Sequence, residues 1–170
     1  NKVFAQTLLT TISSIIVAAA VIVLICSFIL PVFKVTGDSM TPTLSKRDYI
    51  LCNKNADIKK GDVIAFYHNR KVLIKRVIGT SNDIINLLDD GTVELNGKKL
   101  NEPYVSEKAV GETDITYPFT VPESSFFVMG DKRDTSIDSR STAVGCITEE
   151  DIIGKVYMKI LPLGSFGKIK

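Results

Sequence analysis

Residues 71–79 have the sequence KVLIKRVIG, in which Val, Leu and Ile are interleaved with basic side chains. Branched apolar residues of this kind favour β-strands. Other β-rich runs lie before and after this segment, at 48–52, 62–67, 126–129 and 152–160, and turn-forming residues separate them. The pattern predicts a fold built from many short strands, without strongly amphipathic helices.

The pair Asn96-Gly97 separates two further short runs, at 92–95 and 98–100. Asn-Gly is the strongest short signal for a β-hairpin, because both residues tolerate a positive φ. The stretch 81–119 is more polar than its flanks, and we interpret it as an insertion or subdomain. The predicted fold class is therefore mostly β, with antiparallel sheets, long loops and a hairpin-rich insertion. In the last strand, Gly154 predicts a bulge.

The size and composition of the chain limit its function classes. Its 170 residues suit one globular domain plus an appendage. The apolar fraction of 45 % and charged fraction of 24 % are typical of a folded chain. The net charge of only +2 argues against a nucleic-acid partner bound through a basic face. The mean hydropathy of +0.18 is high for a soluble domain, and the excess lies near the N-terminus.

No charged residue occurs between Lys2 and Lys34, and residues 15–30 are apolar except for Ser27. This window exceeds the roughly 20 residues that a helix needs to cross a bilayer, and Pro31 marks its predicted end. A cleavable signal peptide, with an apolar core of roughly 7–15 residues, is an alternative, and a buried core helix is another. We predict an uncleaved transmembrane signal-anchor in segment 1–34, followed by a folded domain at 35–170 whose side of the membrane the charge pattern does not set.

The three cysteines do not point to a metal. Cys26 lies in the apolar run, while Cys52 and Cys146 lie in strand-like apolar contexts and are interpreted as core thiols. A disulfide between Cys52 and Cys146 stays open, because its geometry cannot be read from sequence. The chain has no Cys-x-x-Cys motif and no histidine cluster, so no structural metal site is expected.

Histidine, the usual base beside a catalytic serine, is scarce in this chain. The only histidine, His68, lies beside Asn69 and Arg70 in a predicted turn. A Ser-His-Asp site would need it, so a hydrolase here is expected to use another base. Ser39 lies among small and turn-forming residues in TGDSMTPTL (36–44). Such a turn can present the serine Oγ and nearby N–H groups to a substrate, although it also fits an ordinary turn after a strand.

Lys75 is unusual because it lies within an apolar strand. Burial disfavours an ammonium and lowers its pKa from about 10.4, by as much as ~3–5 units. A lysine that is neutral near pH 7–8 can act as general base for a serine hydroxyl. The alternative is a strand lysine that faces solvent, with Arg76 on the opposite face.

The loop GDKRDTSIDSR (130–140) follows a run predicted to be a buried strand. It offers the hydroxyl of Ser136 and an Asp138–Arg140 pair that could brace a site. Alternatively it is a solvated loop whose surface ion pairs contribute little.

These segments together resemble the type I signal peptidases, membrane-anchored Ser/Lys proteases that remove signal peptides. The motifs TGDSMTPTL (36–44), GDVIAF (61–66), KRVIG (75–79) and GDKRDTSIDSR (130–140) occur in the order of that family. Each motif alone is weakly specific, but four in order behind an uncharged N-terminal segment are highly specific.

The resemblance implies a role for each matching position. Ser39 would be the nucleophile, with its backbone N–H in the oxyanion hole, and Lys75 would be the general base. Ser136 would orient the lysine amine, supported by Asp138 and Arg140. The residues that would line shallow pockets for small side chains, as an Ala-x-Ala cleavage signal requires, are Phe33, Val35, Leu44 and Ile74.

The resemblance also implies partners and location. The partners would be preprotein signal peptides and the lipid bilayer, without a metal or cofactor. The protein would be a single-pass protein of the cell membrane, with a cytoplasmic N-terminus and the catalytic domain outside. Some family members place a serine two residues before the nucleophile as a second oxyanion donor; here Gly37 stands there, as in the variant of Gram-positive bacteria. Lysine at position 75, where endoplasmic-reticulum relatives use histidine, indicates a bacterial or organellar-type enzyme.

Two alternatives remain at this point. A self-cleaving repressor-type peptidase would use the same chemistry, but no Ala-Gly or Cys-Gly cleavage pair occurs in residues 1–38. A catalytically inactive, membrane-anchored assembly or binding protein of the same fold is the second alternative, and the intact Ser39/Lys75 pair argues against it.

Overall fold

The computed structural model describes residues 2–169, with the backbone alone at 25–29. It contains one α-helix and twelve strands, and every strand pairing is antiparallel. The predicted mostly β class with one N-terminal apolar helix is confirmed. The elements are α1 (Lys2–Ile29), β1 (Val32–Lys34), β2 (Tyr49–Asn53), β3 (Val63–His68), β4 (Lys71–Gly79), β5 (Ile84–Leu87), β6 (Val93–Leu95), β7 (Lys98–Lys99), β8 (Phe119–Thr120), β9 (Ser125–Met129), β10 (Ile147–Thr148), β11 (Ile152–Leu161) and β12 (Gly167–Lys168), with 3₁₀ turns at Glu149–Asp151 and Leu163–Ser165.

Helix α1 is long and apolar enough to cross a membrane. Its segment Lys2–Leu24 has 23 residues, contains an 18-residue window with a mean hydropathy of 2.4, and has no side chain buried against the rest of the described chain. The hydroxyls of Thr7, Thr11 and Ser13 donate to backbone carbonyls four residues earlier. Their polar groups are therefore satisfied within the helix, as a lipid environment requires.

The larger sheet has the strand order β1-β2-β11-β3-β4-β9-β10, and β12 pairs with β11. β3 and β4 form a hairpin around Asn69 and Arg70, both with positive φ. β9 pairs with only the last part of β4, beginning at Arg76 opposite Met129. The first part of β4 therefore has a partner on one side only among the described strands, which leaves a strand edge next to the site described below.

A smaller sheet, of order β7-β6-β5-β8, spans residues 84–120. The predicted Asn96-Gly97 hairpin is present between β6 and β7, with φ values of 52° and 76°. The predicted bulge also occurs, as a register shift between Ile152 and Gly154. The status of 81–119 as an inserted subdomain, and the domain boundary at 34, stay predictions.

The core follows the two-residue period of the strands. In β3, Val63 and Ala65 belong to one apolar cluster and Ile64 and Phe66 to another, on the opposite face. A third cluster joins the two sheets: Ile78, Phe127 and Met129 from the larger sheet pack with Ile85, Val93 and Val121. The smaller sheet is thus held against the end of β4 and β9.

Cys52 and Cys146 are free thiols. Cys52 is fully buried and Cys146 is half-buried, each in a different apolar cluster, and they are not joined by a disulfide. Burial raises the pKa of Cys52 to about 12 and that of Cys146 to about 11, so both are inert at neutral pH. The side chain of Cys26 lies outside the described residues.

Candidate active site

Ser39 lies in the turn that follows β1. The turn is tied down on the C-terminal side of the serine, because Met40 and Leu44 are buried in the core and the N–H of Leu44 donates to the carbonyl of Met40 at 2.8 Å. The carbonyl of Ser39 itself accepts a 3.0 Å hydrogen bond from the N–H of Lys132. The serine is therefore half-exposed on a rigid turn.

A groove of about 150 Å³ opens beside this turn. It brings Ser39 and Lys75 together with three of the four predicted pocket residues, Phe33, Val35 and Ile74. Leu44 does not line it and is instead buried in the core behind Val35. The complete lining is Phe33, Lys34, Val35, Thr36, Gly37, Ser39, Met40, Val72, Leu73, Ile74 and Lys75.

Lys75 is buried, with 4 % of its surface exposed, so it does not face solvent. Its Nζ donates a 2.8 Å hydrogen bond to Ser136 Oγ, which donates to Asp138 Oδ2 at 2.6 Å. Burial lowers the pKa of Lys75 to about 8, although the charge of Asp138 partly opposes this shift. A large fraction of the lysine is therefore neutral at mildly alkaline pH, as a general base must be.

Asp138 and Arg140 form a fully buried pair beneath Ser136. Arg140 donates from Nε to Oδ1 at 2.8 Å and from Nη2 to Oδ2 at 2.9 Å. Burial alone would raise the pKa of Asp138, but its hydrogen bonds with Arg140 and the charge of Arg140 outweigh this, and the pKa lies below its ordinary value. The loop 130–140 is thus an internal brace rather than a solvated surface.

Gly130 connects this brace to the serine turn. Its N–H donates to Asp138 Oδ2 at 2.9 Å. A Cβ at this position would overlap Ser136 Oγ and lie 2.6 Å from the carbonyl oxygen of Ser39. Only glycine allows the three segments to approach so closely.

The sequence interpretation missed a second buried pair, Arg76 with Asp131. Arg76 donates from Nε to Oδ1 at 2.9 Å and from Nη2 to Oδ2 at 2.7 Å, and both side chains are almost fully buried. An arginine inside an apolar strand was a signal that Arg76 needs a buried partner. The partner could not be identified from the sequence, because Asp131 lies 55 positions away. Glu102 and Arg133, which form a third buried pair, were missed for the same reason.

His68 ends β3, within 2.9 Å of the Nδ2 of Asn69, and does not line the groove. Among the described residues, no group of three or more His, Cys, Asp or Glu side chains could hold a metal ion. The candidate acid–base group of the groove is thus Lys75.

An antiparallel β fold that presents a serine and a buried lysine in one groove is typical of serine hydrolases that use lysine as the base. Residues 8–161 match the family model described as "Signal peptidase, peptidase S26". The chain belongs to the signal peptidase I family and is a serine endopeptidase by class.

Relatives of similar length support this assignment. The chain is 34 % identical to signal peptidase I of Bacillus amyloliquefaciens over 92 % of its own length and 90 % of the relative. It is also 34 % identical to signal peptidase IB of Staphylococcus aureus, over 94 % and 92 %. The crystal structure of a signal peptidase I from Enterococcus faecalis V583 is similar at a TM-score of 0.51 and 29 % identity, covering 59 % of this chain and 97 % of that one. These relatives come from Gram-positive bacteria, as the resemblance predicted.

Proposed function

We propose that this protein is a membrane-anchored signal peptidase that removes N-terminal signal peptides from exported preproteins, with Ser39 as nucleophile and Lys75 as general base. The observation that carries the proposal is the burial of Lys75, hydrogen-bonded to Ser136, in the groove that also contains Ser39. A lysine in such surroundings is a competent base near neutral pH.

The chemistry follows from these groups. Neutral Lys75 accepts the proton of Ser39 as Oγ attacks the scissile carbonyl, and the backbone N–H of Ser39 donates to the developing oxyanion. Lys75 then gives the proton to the departing amine, which leaves an acyl-enzyme. Lys75 then takes a proton from a water molecule that attacks the ester, and it gives this proton to Ser39 Oγ as the ester bond breaks. Each proton taken up is released within the cycle.

The groove favours an extended substrate with small side chains. β1 and the first part of β4 border it, and each has a free edge among the described strand pairings. A cleavage segment can therefore add as a strand through main-chain hydrogen bonds. The small volume and the apolar walls of Phe33, Val35 and Ile74 exclude large side chains, which suits cleavage after Ala-x-Ala.

The apolar helix α1 supports the membrane-anchoring part of the proposal. The helix would cross the cell membrane once, with a short cytoplasmic N-terminus and the β domain on the extracytoplasmic side. Because a signal peptide also lies in the bilayer, anchoring both partners in one membrane raises their effective concentration.

The test is cleavage of a preprotein with an Ala-x-Ala site by the full chain in detergent micelles. Wild type should cut after the second alanine, as mass spectrometry of the product would show, while Ser39→Ala and Lys75→Ala should be inactive. Lys71→Ala is the matched control, because Lys71 lies on the same strand but is exposed, and it should remain active. A folded wild type that cuts none of several preproteins would overturn the proposal in favour of a binding protein.

A further inference from the structure

We propose that Glu102 is a positioning residue for this reaction, acting through Arg133 on the loop that supports both Lys75 and Ser39. This inference rests on the proposed function and deepens it. Glu102 lies in the polar segment after β7, outside the motifs that carry the family resemblance.

Glu102 and Arg133 form a buried, two-pronged ion pair. Arg133 donates from Nη1 to Glu102 Oε2 at 3.0 Å and from Nη2 to Oε1, and neither side chain is more than 2 % exposed. Such a planar pair fixes the guanidinium in both position and orientation. Compared with well-packed apolar residues, a buried ion pair adds little net stability. We therefore interpret the main effect of this pair as fixing the position of Arg133.

The guanidinium of Arg133 passes this constraint to Gly130. Its Nε donates to the carbonyl of Gly130 at 3.0 Å. The N–H of Gly130 donates to Asp138, the acceptor of Ser136, and its Cα lies against the carbonyl of Ser39. One residue, Gly130, thus contacts both the carboxylate that holds Ser136 and the turn that carries the serine.

Tyr104, two residues after Glu102, also helps to hold Glu102 in place. Its hydroxyl donates to Glu102 Oε1 at 3.0 Å, and its ring lies 3.9 Å from the guanidinium carbon of Arg76. Arg76 in turn holds Asp131, the neighbour of Gly130. The segment 102–104 therefore contacts both Arg133 and Arg76, the two arginines that bond to the first two residues of the loop 130–140.

The later part of the loop also has anchors that do not involve Glu102. Arg140 donates to the carbonyl of Val110 at 2.6 Å, and the hydroxyl of Thr113 donates to the carbonyl of Arg140 at 2.9 Å. Changing Glu102 leaves these anchors in place. A Glu102 variant is therefore expected to loosen the Gly130 peptide without releasing the whole loop.

Glu102→Gln keeps the size of the side chain and removes its charge. Because the reacting groups then lose their alignment, we expect kcat to fall roughly 10- to 100-fold, with KM little changed because β1 and β4 still form the groove. Water should gain access to Lys75, and less burial means a higher lysine pKa. The acidic limb of the pH–rate profile should therefore move to higher pH. The charged groups acting on Lys75, none altered by this substitution, are Asp138, Arg140, Asp131 and Asp38.

The experiment compares cleavage kinetics of the full chain in micelles from pH 6 to pH 10. Glu102→Asp keeps the charge and should recover part of the lost kcat and of the pH shift. Glu94→Gln is the matched control: Glu94 is half-buried in the smaller sheet and contacts Asn86 at 3.0 Å, so wild-type kinetics are expected. A Glu102→Gln protein with lower thermal stability but wild-type kcat and pH profile would overturn the inference, since the role would then be structural only.

Tyr104→Phe keeps the inference testable should Glu102→Gln fail to fold. It removes one hydrogen bond to Glu102 and keeps the ring over Arg76, so a few-fold lower kcat and a shift to higher pH are expected; wild-type values would overturn the inference. If wild type cleaves and needs Lys75, but Glu102→Gln has wild-type kinetics, this inference is overturned and the proposed function stands. Wild type that does not cleave would overturn the proposed function and the inference with it.

Discussion

Lys75 and Ser136 lie 61 positions apart in the sequence, and their Nζ and Oγ atoms are 2.8 Å apart in the fold. Because the Ser136 hydroxyl donates to Asp138, it can only accept from the lysine. A neutral amine has two N–H donors and one lone pair, so this contact uses a donor. The lone pair of Lys75 stays available to accept the proton of Ser39, which is the orientation that a general base requires.

The first prediction concerns pH. The protonated form of Lys75 predominates below its pKa of about 8, and a protonated amine cannot accept the serine proton. We expect kcat/KM to rise about tenfold per pH unit below this value and to level off above it. A profile of preprotein cleavage from pH 6 to pH 10 measures this limb, and a rate independent of pH between 6 and 8 would contradict the assignment of the base.

Ser136→Ala should lower activity without unfolding the protein. The substitution removes the acceptor that orients Lys75, and we expect kcat to fall by roughly 100-fold, at the lower end of what acid–base groups contribute. Ser141→Ala is the control, because Ser141 is also buried nearby but its hydroxyl only accepts from the N–H of Ala143 at 3.3 Å. Equal rates in the two variants would show that Ser136 does not position the lysine.

The second buried pair is expected to matter for stability. Asp131→Asn removes the charge that faces Arg76, and breaking such a buried pair should lower the free energy of unfolding by about 3 kcal/mol or more. The control is Asp57→Asn, since Asp57 pairs with Lys59 at 3.4 Å on the surface, where both are largely exposed and ion pairs contribute little. Denaturation of the full chain in micelles, followed by circular dichroism, measures both. Similar losses would contradict the prediction.

Features set by local patterns could be predicted from the sequence. Strand β4 has the predicted bounds of 71–79, and the Asn96-Gly97 turn is where the pattern placed it. The helix α1 begins earlier than the purely apolar run, at Lys2, because its Ser and Thr hydroxyls bond to the helix backbone. Each of these features depends on residues within one or two turns of each other.

Long-range partners could not be predicted in the same way. Strand alternation places Lys75 and Arg76 on opposite faces, and one alternative had Lys75 facing solvent. Both are in fact buried, because the loop after β9 supplies a carboxylate near each. Glu102 meets Arg133 across 31 positions. Leu44 was expected in the substrate pocket and lies in the core instead, since only the fold decides which face of its turn is covered.

The last prediction concerns the oxyanion hole. A Cβ at Gly37 would meet no atom within 4 Å, and the φ of Gly37 lies outside the left-handed region, so a serine fits there without strain. Its hydroxyl could supply the second donor found in some family members. One such donor is worth roughly 100-fold or more in kcat elsewhere, but a mobile, half-solvated hydroxyl is less effective. We therefore expect Gly37→Ser to raise kcat by roughly two- to tenfold.

Gly37→Ala is the matched control for this gain, because it adds the Cβ without the hydroxyl. Single-turnover cleavage of the same preprotein separates the acylation step from product release and measures the effect directly. A rise in Gly37→Ser alone means that the native site lacks a second side-chain donor. Equal rates in the two variants would mean that the added hydroxyl does not stabilise the oxyanion, which would contradict the prediction.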